Sequence, residues 1–178
     1  MVLAAVLIGL PVQAREPKPQ PAINAADLAQ RIHKRVNAER TKRKLPTLAW
    51  DGKLARIATD HSRDMARRHY VSHDSPEGHG FPHRYREGGY TCRITVGLII
   101  HTGAENIALG RLYNTMRTIN GIAYYDWNSA QDIARLTVDG WMKSRGHREN
   151  ILGPQWKREG IGVEIAPDNR VLVTQNFC

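Results

Sequence analysis

Four short segments carry polar residues that packing does not obviously explain, and they set the chemistry open to this chain. Tyr70-Val71-Ser72-His73-Asp74-Ser75-Pro76 places His73 just past the end of a helical stretch, where a loop can present an imidazole. Gly103-Ala104-Glu105-Asn106-Ile107 reads as the opening of a short helix, where the dipole would favour an ionised Glu105. In Gly140 to Asn150 (GWMKSRGHREN), Ser144 can cap a short helix that carries His147 in its first turn and stops at Gly153-Pro154. Thr174-Gln175-Asn176-Phe177 lies on the last strand. Two imidazoles and a carboxylate suit a first-row cation such as Zn²⁺ and leave one coordination position open. Spacing alone is weak support for that set. The alternative is that Glu105 caps backbone amides while the histidines bond to carbonyls. The sequence holds no HExxH run, no paired cysteine ligands and no local triad signature. It also has no GxGxxG or GxxxxGK[ST] loop, so nucleotide binding has no support.

The elements that must position these residues follow from periodicity. A helix begins near Asn24, with Ala25, Leu28, Ala29, Ile32 and Val36 on one face, and ends before Leu45-Pro46. A second begins near Asp51, with Leu54, Ile57, Ala58, His61 and Met65 at the same offsets, which makes His61 a core histidine rather than a ligand. Phe81 to Gly89 reads as a short helical turn and Ile94 to Ile100 as a buried strand weakened by Gly97. Arg111 to Trp127 shows no clean period and reads as a long loop or insertion. A third helix starts near Asn128-Ser129, with Ile133, Leu136, Thr137 and Gly140-Trp141 inward. Gly160 to Ala166 and Arg170 to Phe177 form a terminal hairpin about Pro167-Asp168-Asn169. Helices first and antiparallel strands last make an α+β domain.

The chain has 178 residues, 41% of them hydrophobic, which is one domain with a proper core and excludes wholesale disorder. Its net charge of +9 favours anionic partners: anionic lipid, a glycan or an acidic envelope polymer. Arg31, Lys34, Arg35, Arg40, Lys42, Arg43 and Lys44 concentrate that charge on the first helix, opposed only by Glu39. No base-stacking motif accompanies them, so no specific nucleic-acid recognition is expected. Met1 to Ala14 has the size and order of a signal peptide, ending in Val12-Gln13-Ala14, although the basic n-region is missing and points to a truncated start. It is too short for a transmembrane segment. Residues 15–23 form a Pro-rich linker, and 24–178 the domain. Export makes the even pair Cys92 and Cys178 a candidate disulfide, two separate buried thiols being the alternative.

Seven segments together resemble the CAP superfamily of cysteine-rich secretory proteins, antigen 5 and plant pathogenesis-related 1 proteins (the SCP domain), in its compact prokaryotic type. They are Val36-Asn37-x-x-Arg40, Leu45-Pro46-x-Leu48-x-Trp50-Asp51, His73-x-Ser75-Pro76, Gly103-x-Glu105-Asn106-Ile107, Gly140-Trp141-x-x-Ser144-x-Gly146-His147-Arg148-x-Asn150-Ile151-Leu152, Gly160-x-Gly162 and Thr174-Gln175-Asn176-Phe177. The resemblance implies a three-layer α-β-α sandwich, a small antiparallel sheet held between helices. It implies a cleft presenting His73, Glu105 and His147, often able to bind a divalent cation. Where the eukaryotic pattern has a second glutamate, three residues after the tryptophan, this chain has Ser144. One carboxylate in place of two predicts weak, reversible Zn²⁺ binding. The functional expectation is a secreted, monomeric, non-catalytic binding module for lipid, glycan or envelope polymer. The alternative is a metal-assisted hydrolase with His73 and His147 on the cation and Glu105 as ligand or general base.

Overall fold

A computed structural model describes residues 16–178. The signal peptide read at Met1 to Ala14 lies outside them. Helix α1 (Ala25–Lys42) starts where the Asn24 side chain accepts from the Asp27 amide, 3.0 Å away. Strand β1 (Ala49–Trp50) leads to α2 (Gly52–Arg68), capped by Asp51 and closed by His69 in the left-handed region. Helix α3 (Phe81–Glu87) is followed by the ribbon β2 (Ile94–Val96) and β3 (Ile99–His101), then by β4 (Ala104–Arg111). A second ribbon, β5 (Tyr113–Ile119) and β6 (Ile122–Trp127), precedes α4 (Ala130–Lys143), which opens on a Ser129–Asp132 capping box. Helix α5 (Arg145–Leu152) follows after Ser144 alone, and β7 (Arg158–Ile165) and β8 (Arg170–Phe177) end the chain.

The main sheet has the order β1-β7-β8-β4, antiparallel except for the β1–β7 pair. Alternation along β7 and β8 divides it into two faces. Ile161, Val163, Val171, Val173 and Phe177 pack under α1, α4 and α5, against Leu28, Ile32, Val36, Ile133, Val138 and Trp141. Leu172 faces α2 with Met65 and Ala66, while Leu54, Ile57 and Tyr85 join α2 to α3. Helix α2 lies directly on the sheet: a Cβ at Gly160 would stand 2.1 Å from the Ala55 nitrogen, and one at Gly162 2.0 Å from that of Thr59. This is the α-β-α sandwich. Cys92 and Cys178 are joined, their Cα atoms 5.6 Å apart.

Five local expectations fail. Gly103 to Ile107 opens no helix: it enters β4, whose eight residues all pair with β8, so tertiary pairing overrides the local N-cap reading. Ile94 to Ile100 is not one strand but an exposed ribbon folded at Gly97, φ 59°. Arg111 to Trp127 is a hairpin turned at Asn120-Gly121, both residues at positive φ, and a register shift between Tyr113 and Thr115 hid its period. Arg40 does not share in the surface charge read on the first helix. It is fully buried, and its guanidinium donates to the carbonyls of Pro46, Ile151 and Gly153, tying α1 to the loop after α5. On α4, Leu136 and Gly140 face out, and Ala134 and Val138 are buried in their place.

Candidate functional site

The cleft is built where the start of β4 meets the loop after α2. His61, buried on α2, has its Nε2 3.0 Å from the Ser72 carbonyl and so pins the loop that presents His73. Glu105 stands at the second position of β4, opposite Asn176 of β8, its side chain 1% exposed. A buried carboxylate needs partners on both oxygens, and it has them. His73 Nδ1 lies 2.9 Å from Oε1, and Arg84 of α3 donates from Nη2 to Oε2 over 2.6 Å. Arg84 is itself fixed by the carbonyls of His73 and His79.

Helix α5 brings His147 to the same place. Asn150 donates to the Glu105 carbonyl and to Asn106 Oδ1, and Asn106 donates to the His147 carbonyl and to Gln175. The His73 and His147 rings then stand 6.5 Å apart, centroid to centroid. β4 is an edge strand, and the helical layer closes its outer row of carbonyls. Asn150 takes that of Glu105, the Trp141 indole that of Ile107, and Asn128 that of Arg111.

Electrostatics divide the two imidazoles. The Glu105 carboxylate on Nδ1 raises His73 above the ordinary imidazole value, against the opposing effect of burial. Burial lowers His147, and the neighbouring His73 lowers it further. The cleft therefore favours the protonated ring at His73 and the neutral ring at His147. A cavity of about 390 Å³ opens beside His73, Glu105, Phe81 and Asn150. Ser144 and His147 open on a separate groove of about 360 Å³ between β4 and α4. Ser144 occupies the N-cap of α5 without a side-chain capping bond.

The CAP family profile, described as the cysteine-rich secretory protein family, matches residues 33–177. The chain belongs to the CAP family. A relative in Bacillus subtilis, "Uncharacterized membrane protein YlbC", is 32% identical over 142 residues, 80% of this chain but 32% of that protein. The crystal structure of an extracellular SCP-domain protein from Bacillus anthracis matches with a TM-score of 0.61 at 30% identity, over 86% of this chain and 40% of that one. A structure titled NaASP2 with Zn²⁺ shares the fold at 14% identity and a TM-score of 0.54, covering 89% of this chain and 83% of that one.

In this CAP domain His73 and Glu105 touch, and the His147 ring stands beside His73 without a hydrogen bond to either. Ser144 belongs to the neighbouring groove. Among the described residues no three of His, Cys, Asp and Glu converge as a metal-holding group. The second oxygen of Glu105 is taken by a guanidinium, which already supplies the positive charge a metal would bring. The donors as folded therefore do not fit a resident divalent cation. Sequence reading missed Arg84. The available signal was indirect: a buried Glu105 demands a cation, and the 81–89 segment supplies one.

Proposed function

We propose that this CAP domain is a secreted, non-catalytic binding module that engages an anionic group: a lipid headgroup, a glycan or an acidic envelope polymer. The state of Glu105 carries the reading. Both its oxygens already have a partner and its side chain is 1% exposed, so little of the carboxylate is open to a substrate as a general base. Arg84 already neutralises it, so the proton that Glu105 favours on His73 would add positive charge at the cleft mouth, on a chain of net charge +9. Export is supported by the signal-like start and by the Cys92–Cys178 bridge, which fits an extracytoplasmic location. Among the described residues no helix is long and apolar enough to cross a membrane. One relative's description as a membrane protein supports a place beside the envelope.

The test is titration of the mature protein with dextran sulfate and with phosphatidylglycerol vesicles at rising ionic strength, beside metal analysis and a hydrolase-substrate panel. Binding that weakens with salt is expected, because exposed charges screen within a Debye length of about 8 Å at physiological strength. Stoichiometric metal with metal-dependent turnover would overturn the reading in favour of a hydrolase.

A further inference from the structure

The β2–β3 ribbon ends in a cluster of apolar side chains that nothing in the fold covers. Val96 is 51% exposed, Leu98 fully so, Ile99 62% and Ile100 46%. Pairing of Ile94 with His101, Thr95 with Ile100 and Val96 with Ile99 puts Val96 and Ile99 on one face and Ile100 on the other. Leu98 crowns the turn beside Gly97. A partner protein is normally met by one face of a ribbon. Here both faces and the end are apolar, which suits a finger surrounded by hydrocarbon.

The base of the finger is rigid and basic. Ile94 packs into the core, His101 meets Trp156 edge-on at 5.7 Å, and Cys92 is bonded to Cys178. The Cys178 carbonyl accepts from the amides of both Lys157 and Arg158. Arg93, Lys157 and Arg158 thus collar the disulfide, and all three are exposed. Asp51 faces Arg158 at 3.8 Å and leaves the other two unopposed there. Three residues per strand at about 3.3 Å each reach about 10 Å, the depth of the headgroup and acyl boundary.

We propose that this finger docks the domain on an anionic bilayer, with Val96, Leu98, Ile99 and Ile100 in the acyl boundary and the collar at the headgroups. It rests on the anionic-partner reading above and narrows the partner to lipid. The experiment compares cosedimentation of the wild-type chain, Leu98→Asp and Arg93→Ser with vesicles of phosphatidylglycerol and phosphatidylethanolamine, and dextran sulfate binding by the same proteins. Leu98 touches nothing that the fold needs, so its variant should fold normally. Leu98→Asp is expected to weaken vesicle binding roughly thirtyfold, as for loss of one buried leucine. It should leave dextran sulfate binding unchanged. Arg93→Ser should weaken vesicle binding roughly fivefold and steepen no salt dependence. A Leu98→Trp variant should be quenched by brominated lipid. Vesicle binding unchanged by Leu98→Asp overturns the proposal while polyanion binding upholds the broader reading; loss of both ligands in the wild-type chain overturns that reading too. A dimer abolished by Leu98→Asp, without vesicle binding, assigns the finger to a second copy and also overturns the proposal.

Discussion

Three histidine–glutamate pairs occur among the described residues; one, His83–Glu87, lies along α3, and the other two reach between elements and differ in kind. His73 and Glu105 meet at the cleft, where the imidazole is 50% exposed and the second carboxylate oxygen goes to Arg84. His33 of α1 and Glu159 of β7 meet at 2.6 Å inside the sandwich, with side-chain exposures of 14% and 0%. There the second oxygen accepts from the neutral amide of Gln175, and Trp50 stands edge-on to the ring. The same two residue types serve as a strut between layers in one case and as a charged edge in the other. What separates them is whether the imidazole reaches water and whether the carboxylate meets an amide or a cation. The two are joined. Gln175 also accepts from Asn106, which bonds Asn150 and the carbonyl of His147, so a buried chain of amides runs from the strut to the backbone of the cleft.

The comparison needs a perturbation that weakens both pairs alike. The Cys92–Cys178 bridge closes 86 residues and ties the end of β8, which carries Gln175 and pairs with Glu105. Replacing both cysteines by serine should lower stability by about 4–5 kcal/mol on the chain-entropy view, read by urea denaturation. Non-reducing mass spectrometry of the wild type should show no free thiol.

The pairs should then part company. Glu159→Ala strands the half-buried His33 and the buried Gln175 and removes the charge that faces Arg40, and should cost about 3–5 kcal/mol. Glu105→Ala should cost about 2–3 kcal/mol, because Arg84 keeps its bonds to the carbonyls of His73 and His79. Only the second should disturb anion binding in the cleft. Equal losses of stability, or anion binding abolished by Glu159→Ala in folded protein, would contradict the division into strut and site.

The sequence displayed the cleft more fully than the strut. His73, Glu105 and His147 stand in short polar runs that no apolar stripe explains, and three of the helices around them announce themselves by caps at Asn24, Asp51 and Ser129. His33 and Glu159 were invisible because each sits beside a strong periodic signal: His33 next to Ile32 on α1, Glu159 at the mouth of the GIGVEIA alternation. Their pairing depends on 126 residues of intervening chain, which no local pattern encodes. Arg84 was hidden for the same reason. The two ribbons were misread on local grounds: one turn is a lone Gly97, and the Asn120-Gly121 signal stood in a stretch whose alternation a register shift had blurred.

Protonation offers a gentler division. The raised value of His73 means that the folded state holds its proton more tightly than the unfolded chain does. Its contribution is complete below about pH 6.5 and is lost as pH rises through the raised value. His61 and His147 are lowered, chiefly by burial, so their environments favour the neutral ring, and stability falls as pH drops below about 6.5. Titration followed by NMR should therefore show His73 losing its proton last of the three. Glu105→Ala should bring His73 back toward the ordinary value, since the carboxylate is the main cause of its shift. A His73 titrating below His147 would reverse the assignment of charge in the cleft.

The smallest effect expected is that of His147→Ala. The imidazole of His147 makes no hydrogen bond to a side chain or carbonyl among the described residues, whereas its backbone carbonyl accepts from Asn106, a bond the substitution keeps. The ring is half-buried at the mouth of the β4–α4 groove, so truncation removes some packing and leaves no polar group stranded. Stability should fall by less than about 1 kcal/mol, near the value for substitutions away from buried networks. That contrasts with Glu159→Ala, where the carboxylate and its Gln175 partner are fully enclosed. Thermal denaturation of the two variants beside the wild type makes the measurement. A large drop in Tm for His147→Ala would show that this ring is a strut as well, and the difference between the two regions would then rest on Arg84 and the half-exposed His73 alone.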